Sequence, residues 1–229
     1  MKIVIFGYDF PHRKTVDFML KVHYQYQIKA VISAPWKELN LPKSKVRLSL
    51  NSKYSIHPSE VASILGIPYI SVDHDSKRCV EELKRINPDV GIIAGARILS
   101  KEVIDCFKMG IINFHPGLLP ENRGLDNIKW ALYLGIKQGV TVHWINEKVD
   151  SGFLIHREEV PVDVNDTYLD INQRIYDKQV ELIPRILNKI RSAMEYKKLK
   201  SEDYPARSVM SHELESKLPY VDVYVEKVY

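Results

Sequence analysis

The sequence predicts an α/β fold: a doubly wound, mostly parallel sheet with a small C-terminal helix or strand appendage. Three observations predict it. Short apolar runs at 2–7, 28–33, 68–72, 89–94 and 110–114 alternate with amphipathic stretches, the order that gives parallel strands joined by crossover helices. The 229 residues are enough to bury a real core. The fifth run stops abruptly at His115-Pro116-Gly117. Proline has no N–H for a sheet ladder and glycine accepts unusual backbone angles. Open α/β sheets bind their ligands at such strand ends.

The elements follow in order. Residues 2–7 are apolar enough for a buried first strand. The next loop, 8–15, leads into a helix reaching about residue 24 and holds no glycine, so with Gly7 alone it is not a dinucleotide fingerprint. His12, Arg13 and Lys14 stand near that helix's N-terminus, where backbone N–H groups and the dipole favour anions. They read as substrate-binding residues for a phosphate or pyrophosphate; the other reading is a solvated basic turn. Residues 28–33 are the second strand. Residues 34–57 carry Pro35 and Pro42, lack periodicity and read as a long loop of the functional kind. Pro58 fits the first turn of a short helix that Gly66 ends. Residues 68–72 and 89–94 are strands flanking an amphipathic helix at 76–86. Gly95 and Ala96 permit close backbone approach, and Ser100 can cap a helix over 100–107.

The strand at 110–114 places Asn113 and His115, two residues apart, on one face. A loop at 116–127 leads to a helix ended by Gly135. Strands follow at 139–145 and 153–160, joined by the polar turn Asn146-Glu147-Lys148-Val149-Asp150. Asp166 reads as the N-cap of a long helix to about residue 193, which Pro184 should kink or split. This makes a catalytic domain of 1–194 and a tail of 195–229. In the tail, alternation over 220–227 suits an edge strand, whose tyrosines and valines suit a homodimer interface.

Composition narrows the function. A formal net charge of +4 is too mild to demand nucleic acid. Cys79 and Cys106 follow no metal-ligand spacing and suggest a reducing, cytoplasmic setting. The eight histidines form no metal-binding pattern, so no metal is expected. No run approaches the ~18 apolar residues of a membrane helix, and residues 2–7 are too short and strand-like for a signal peptide.

One ordered series carries more. Asn113, His115, Leu118-Leu119-Pro120, Arg123-Gly124, Gly139, Thr141, His143, Asp150 and Gly152 resemble the formyltransferase family that takes a one-carbon unit from 10-formyltetrahydrofolate. The likeness covers roughly residues 1–190. Gly117 departs from it, since serine usually precedes the Leu-Leu-Pro. The resemblance implies a Rossmann-like catalytic domain and the folate as co-substrate. It implies Asn113, His115 and Asp150 as catalytic residues, although Asp150 lies 35 positions past His115 and spacing alone does not join them. The amide suits an oxyanion donor, His115 a proton donor near neutral pH, and Asp150 an anion that favours the charged imidazole. It further implies cofactor contacts from Arg97, Ile98 and Leu99 and from Asn146, Glu147, Lys148 and Val149. His143 reads either as an orienting group or as a satisfied strand histidine.

Within the family, the first loop lacks the Gly-Ser-Asn run of the ribonucleotide-binding members. Tyr204-Pro205-Ala206-Arg207 is similar to a short element of nucleotide-sugar formyltransferases. The expected acceptor is therefore a primary amine on a nucleotide-linked amino sugar, specifically dTDP-4-amino-4,6-dideoxyglucose, for surface-polysaccharide synthesis. Methionyl-tRNA formyltransferases resemble it less, since they usually carry a further RNA-binding domain. Phosphoribosylglycinamide formyltransferase, a formate-releasing hydrolase and a non-catalytic binding module on the same scaffold are the remaining alternatives.

Overall fold

A computed structural model describes residues 1–38, 56–192 and 195–218. Its centre is an eight-stranded sheet. The strands are β1 (Ile3–Tyr8), β2 (Ile28–Ala34), β3 (Tyr69–Ser71), β4 (Val90–Ile93), β5 (Gly110–His115), β6 (Gly139–Trp144), β7 (Phe153–Glu159) and β8 (Lys197–Lys198). Their spatial order is β3-β2-β1-β4-β5-β6-β7-β8. The first five run parallel, while β6, β7 and β8 each pair antiparallel with the strand before. The chain steps outward from β1 to β3, then returns to β4 on the other side of β1. Open α/β sheets place their ligand crevice at such a reversal, outside the carboxyl ends of the strands.

Helices cover both faces because the central strands are apolar on both sides. Helices α1 (Arg13–His23), α2 (Pro58–Ile64), α5 (Asn127–Leu134) and α6 (Tyr168–Lys189) lie on one face. There Phe18, Met19, Ile128, Ile175 and Ile183 pack with Ile5, Val31, Ile92, Ile112 and Phe114. On the other face, α3 (Lys77–Ile86) and α4 (Lys101–Ile104) bury Leu83 and Val103 against Val4, Phe6, Ile32 and Ile111. Alternation along β5 thus gives Ile112 and Phe114 to the first face and Asn113 and His115 to the second.

Several expected boundaries move. The helix expected at 100–107 is one turn, because the chain leaves α4 after Ile104 so that Phe107 can pack against Phe6. Thr167, not Asp166, caps α6, in a capping box with Asp170. Asp166 instead accepts the Asp163 N–H and two bonds from Arg174. Pro184 neither ends nor splits α6. Leu182, Ile183, Ile186 and Leu187 are buried on both sides of it, and that packing outweighs the backbone bond a proline removes.

The tail joins this body. Strand β8 extends the sheet, and α7 (His212–Glu215) lies against α5. Lys129 of α5 meets Glu215 at 2.7 Å, with the glutamate fully buried, and Met210 and Leu218 pack near Trp130. The strand expected at 220–227 lies outside the described residues, as does most of the loop expected at 34–57. Among the described residues, no helix is long and apolar enough to cross a membrane.

Candidate active site

The end of β5 brings Asn113 and His115 to one face, as period-2 alternation requires. The turn after β6 folds back over that face. It delivers Asp150, whose Oδ1 lies 3.2 Å from Nδ1 of His115. The three side chains expected from distant parts of the chain are therefore together.

The hydrogen bonds fix the chemistry of each. Nε2 of His115 lies 2.8 Å from the carbonyl of the fully buried Asn122, so it must donate. Nδ1 faces a carboxylate. The doubly protonated ring is the one form that donates to both. The second oxygen of Asp150, Oδ2, accepts the Gly124 N–H at 2.8 Å. Burial pushes the Asp150 carboxyl up, but the adjacent His115, the Gly124 N–H and His143 together bring it below its ordinary value. Asp150 itself adopts a left-handed backbone, φ 44°.

His143 stands opposite Asn113 on β6 and is fully buried. Its Nδ1 donates to the Ser151 carbonyl at 2.9 Å, which leaves Nε2 as an acceptor for the Asn113 amide, 3.3 Å away. Burial, then the charge of His115, draws His143 down to about 4, so it stays neutral near pH 7. It is an orienting group: it sets the Asn113 amide with Nδ2 toward β6 and leaves that nitrogen's second N–H for another acceptor.

The loop after β5 is shaped around the imidazole. Thr141 donates to the Gly117 carbonyl at 2.7 Å and accepts the Leu119 N–H at 3.0 Å. A Cβ on Gly117 would lie 3.0 Å from Nε2 of His115 and 3.1 Å from the Asn122 amide nitrogen. The glycine at this departure from the family pattern lets the loop close on the ring.

The two stretches expected to meet a cofactor are neighbours. Ile145, at the start of the turn, packs against the cluster that holds Leu99 and Val103. The Lys101 ammonium, raised chiefly by its bond to Asp105, also feels the Glu147 carboxylate. Ile98 is 73% exposed and Val149 40%, whereas Leu99 is in the core. Arg97 turns its guanidinium away, to Asp73 at 3.0 Å and the Pro35 carbonyl at 2.8 Å. The Arg97 and Leu99 side chains are therefore both engaged within the fold. Asn146 accepts the Lys148 N–H, and Glu147 and Lys148 are exposed.

The basic cradle expected at His12, Arg13 and Lys14 is not assembled. His12 caps α1 through Thr15, and burial, then Lys14, pushes it down to about 4. Arg13 leans on α6, bonded to Gln173 and stacked 4.4 Å over Tyr176. Lys14 donates to Gln179 at 2.7 Å, and burial lowers it to about 8. Packing of α1 on α6 ties Lys14 into the fold, while Arg13 stays exposed along that helix and His12 serves the cap. Among the described residues no group of three or more His, Cys, Asp or Glu side chains is placed to hold a metal ion.

Sequence reasoning gave no role to Asn122, whose backbone carbonyl fixes His115, or to the buried Arg123, which donates to the carbonyls of Val149 and Asp150. The Arg-Gly pair was visible in the motif series; its burial was not.

Comparison with known proteins places this geometry. A family model described as formyl transferase matches residues 1–187. Methionyl-tRNA formyltransferase of Clostridium tetani is 30% identical over 209 residues, 89% of this chain and 64% of that protein. The chain spans less than two thirds of the length of the curated relatives at the head of the comparison. Among solved structures, phosphoribosylglycinamide formyltransferase from Streptococcus pneumoniae TIGR4 superposes with TM-score 0.64 at 24% identity, over 83% of this chain and 99% of that one. A sugar N-formyltransferase from Shewanella sp FDAARGOS_354 superposes with TM-score 0.63 at 20% identity, over 91% and 77%. Both share the fold.

Proposed function

Because the chain belongs to the formyl transferase family, we propose that it moves a formyl group from 10-formyltetrahydrofolate to the primary amine of a nucleotide-linked amino sugar. The observation that carries formyl transfer is the convergence of the Asn113 amide, the His115 imidazole and the Asp150 carboxylate at the end of β5. Bound, the folate supplies an activated formyl carbon on nitrogen. The chain's residues do the rest. Asn113, held by His143, aims its second N–H at the formyl oxygen, where negative charge develops as the amine attacks. His115 is the proton donor for the departing nitrogen. Its Nε2 proton is tied to a buried carbonyl, so the proton between Nδ1 and Asp150 is the one to move. Asp150 then accepts the proton the amine loses, directly or through a water.

The acceptor is assigned to the dTDP-4-amino-4,6-dideoxyglucose class, with a role in surface-polysaccharide synthesis in the cytoplasm. Two features support it: His12 and the residues around it replace the Gly-Ser-Asn loop, and the segment Tyr204–Arg207 is docked beside the site. A second reading, methionyl-tRNA as acceptor, is favoured by the curated relatives of that name.

One experiment separates these. Purified protein is incubated with 10-formyltetrahydrofolate and the dTDP-amino sugar, with methionyl-tRNA, or with no amine. Release of tetrahydrofolate that depends on the sugar supports the assignment. Dependence on tRNA transfers it to the second reading. Formate release without an amine shows a hydrolase, and no turnover in any arm leaves a binding module.

A further inference from the structure

We propose that Arg123 and residues 199–207 are positioning elements of the site: they set where the Asp150 carboxylate stands. This rests on the assignment of Asn113, His115 and Asp150 as the reacting group. The segment lies beyond the stretch that matches the family, which ends at residue 187.

Arg123 is 9% exposed, and its recorded bonds all go to backbone carbonyls. Nε donates to Val149 at 3.2 Å and Asp150 at 3.1 Å, and a terminal nitrogen donates to Val149 as well. The other terminal nitrogen donates to Ser201 at 2.8 Å and Tyr204 at 2.6 Å. Burying a guanidinium costs several kcal/mol unless its donors are filled. Here the fork joins the catalytic turn on one side to the tail on the other. A lysine, with a point charge and no planar fork, cannot span both.

The tail holds the same turn by its own contacts. The Leu199 N–H donates to the Gly152 carbonyl at 2.8 Å, and the hydroxyls of Ser201 and Ser151 lie 3.0 Å apart. Arg207 pairs through its backbone with Arg123 and Leu125, each bond 2.9 Å, and its guanidinium reaches the Glu121 carbonyl at 2.7 Å. Gly124 lies within that pairing and gives its N–H to Oδ2 of Asp150. Its φ is 102°, and a Cβ there would lie 2.1 Å from the Arg207 carbonyl oxygen. The tail, the Arg-Gly pair and the carboxylate form one connected unit. The backbone carbonyls of Val149, Asp150 and Gly152 and one of the two carboxylate oxygens of Asp150 are held by it.

The test uses two variants of the full chain, Arg123→Lys and Gly124→Ala. The first removes the fork and keeps the charge; the second pushes the tail off the loop. Two quantities are read: kcat and KM for formyl transfer, and the titration of the Asp150 side-chain carboxyl by carbon NMR. A displaced reacting group costs on the order of 100-fold in rate. The expected result is a kcat lowered about 10- to 100-fold, KM for the formyl donor within about threefold, and an Asp150 midpoint moved upward as the Gly124 and His115 contacts loosen. A purely structural role would lower the yield of folded protein and leave the folded fraction with the parent's kcat and midpoint; that result overturns the proposal. If the parent transfers no formyl group to any amine, the midpoint alone decides: upward supports the positioning role, unchanged refutes it. Where one variant does not fold, the other carries the same readings.

Discussion

Replacing Asp150 with Asn tests the site at a single atom. Asp150 sits at φ 44°, and asparagine tolerates that left-handed backbone as well as aspartate does. The side chain keeps its size, but its two ends are no longer alike. The Gly124 N–H, 2.8 Å from Oδ2, demands an acceptor, so the amide oxygen must turn toward it. The amide nitrogen then faces Nδ1 of His115, 3.2 Å away, and donates to it. Nε2 still donates to the Asn122 carbonyl. The variant thus locks the ring in its neutral form, with no proton on Nδ1. Every hydrogen bond survives, so the expected loss of stability is small, about 1 kcal/mol. The loss of rate is not: removing a positioned proton donor costs about 100- to 10,000-fold. Steady-state kinetics with saturating folate should show kcat falling by that amount with KM nearly unchanged. Asp150→Ala should fall similarly in rate but melt lower, since it strands the Gly124 N–H and one imidazole nitrogen at roughly 1–3 kcal/mol each. A kcat for Asp150→Asn within tenfold of the parent would refute the assignment of the Nδ1 proton.

Asn113→Ala should lower kcat about 100- to 1000-fold, the usual cost of an oxyanion donor, with folate binding by calorimetry unchanged. His143→Ala should cost less, about 3- to 10-fold, because it loosens the amide without removing it; an effect as large as that of Asn113→Ala would mean His143 does more than orient. Lys14→Met bears on the basic turn. Burial lowers the folded Lys14 to about 8, so between that pH and the ordinary lysine value the unfolded chain binds more protons and stability rises with pH. Urea melts should show that rise in the parent and not in the variant, and an unchanged KM for the acceptor would confirm that Lys14 serves the fold. Asp150 gives the opposite limb: its lowered carboxyl contributes stability that is fully present above about pH 4 and is lost as pH falls through its folded value. Acid denaturation of Asp150→Asn should lack that component.

Much of this was legible in the sequence because it rests on local rules. Alternation put Asn113 and His115 on one face, and Pro116-Gly117 ended the strand where expected. The five parallel strands followed from apolar runs spaced by amphipathic ones. What escaped depends on contacts between distant residues. The fate of Arg13 and Lys14 was decided by Gln173, Tyr176 and Gln179 on a helix some 160 positions away. Pro184 reads locally as a helix breaker, and tertiary burial overrode it. Arg123 looks like any loop arginine until the carbonyls of Ser201 and Tyr204 arrive beside it. Asp150 was reached by resemblance, since only the folding-back of the turn after β6 brings it to His115.

The ion pair between Lys129 and Glu215 carries a consequence for how the molecule comes apart. Parting the two would take from the buried Lys129 one of its carboxylate partners, with Asp126 at 3.2 Å another, and breaking a buried pair costs about 3–5 kcal/mol. Helix α7 is therefore not free to fray while the body stays intact. Amide protons of α7 should exchange on the timescale of α5, and the two should be lost in one cooperative transition rather than in sequence.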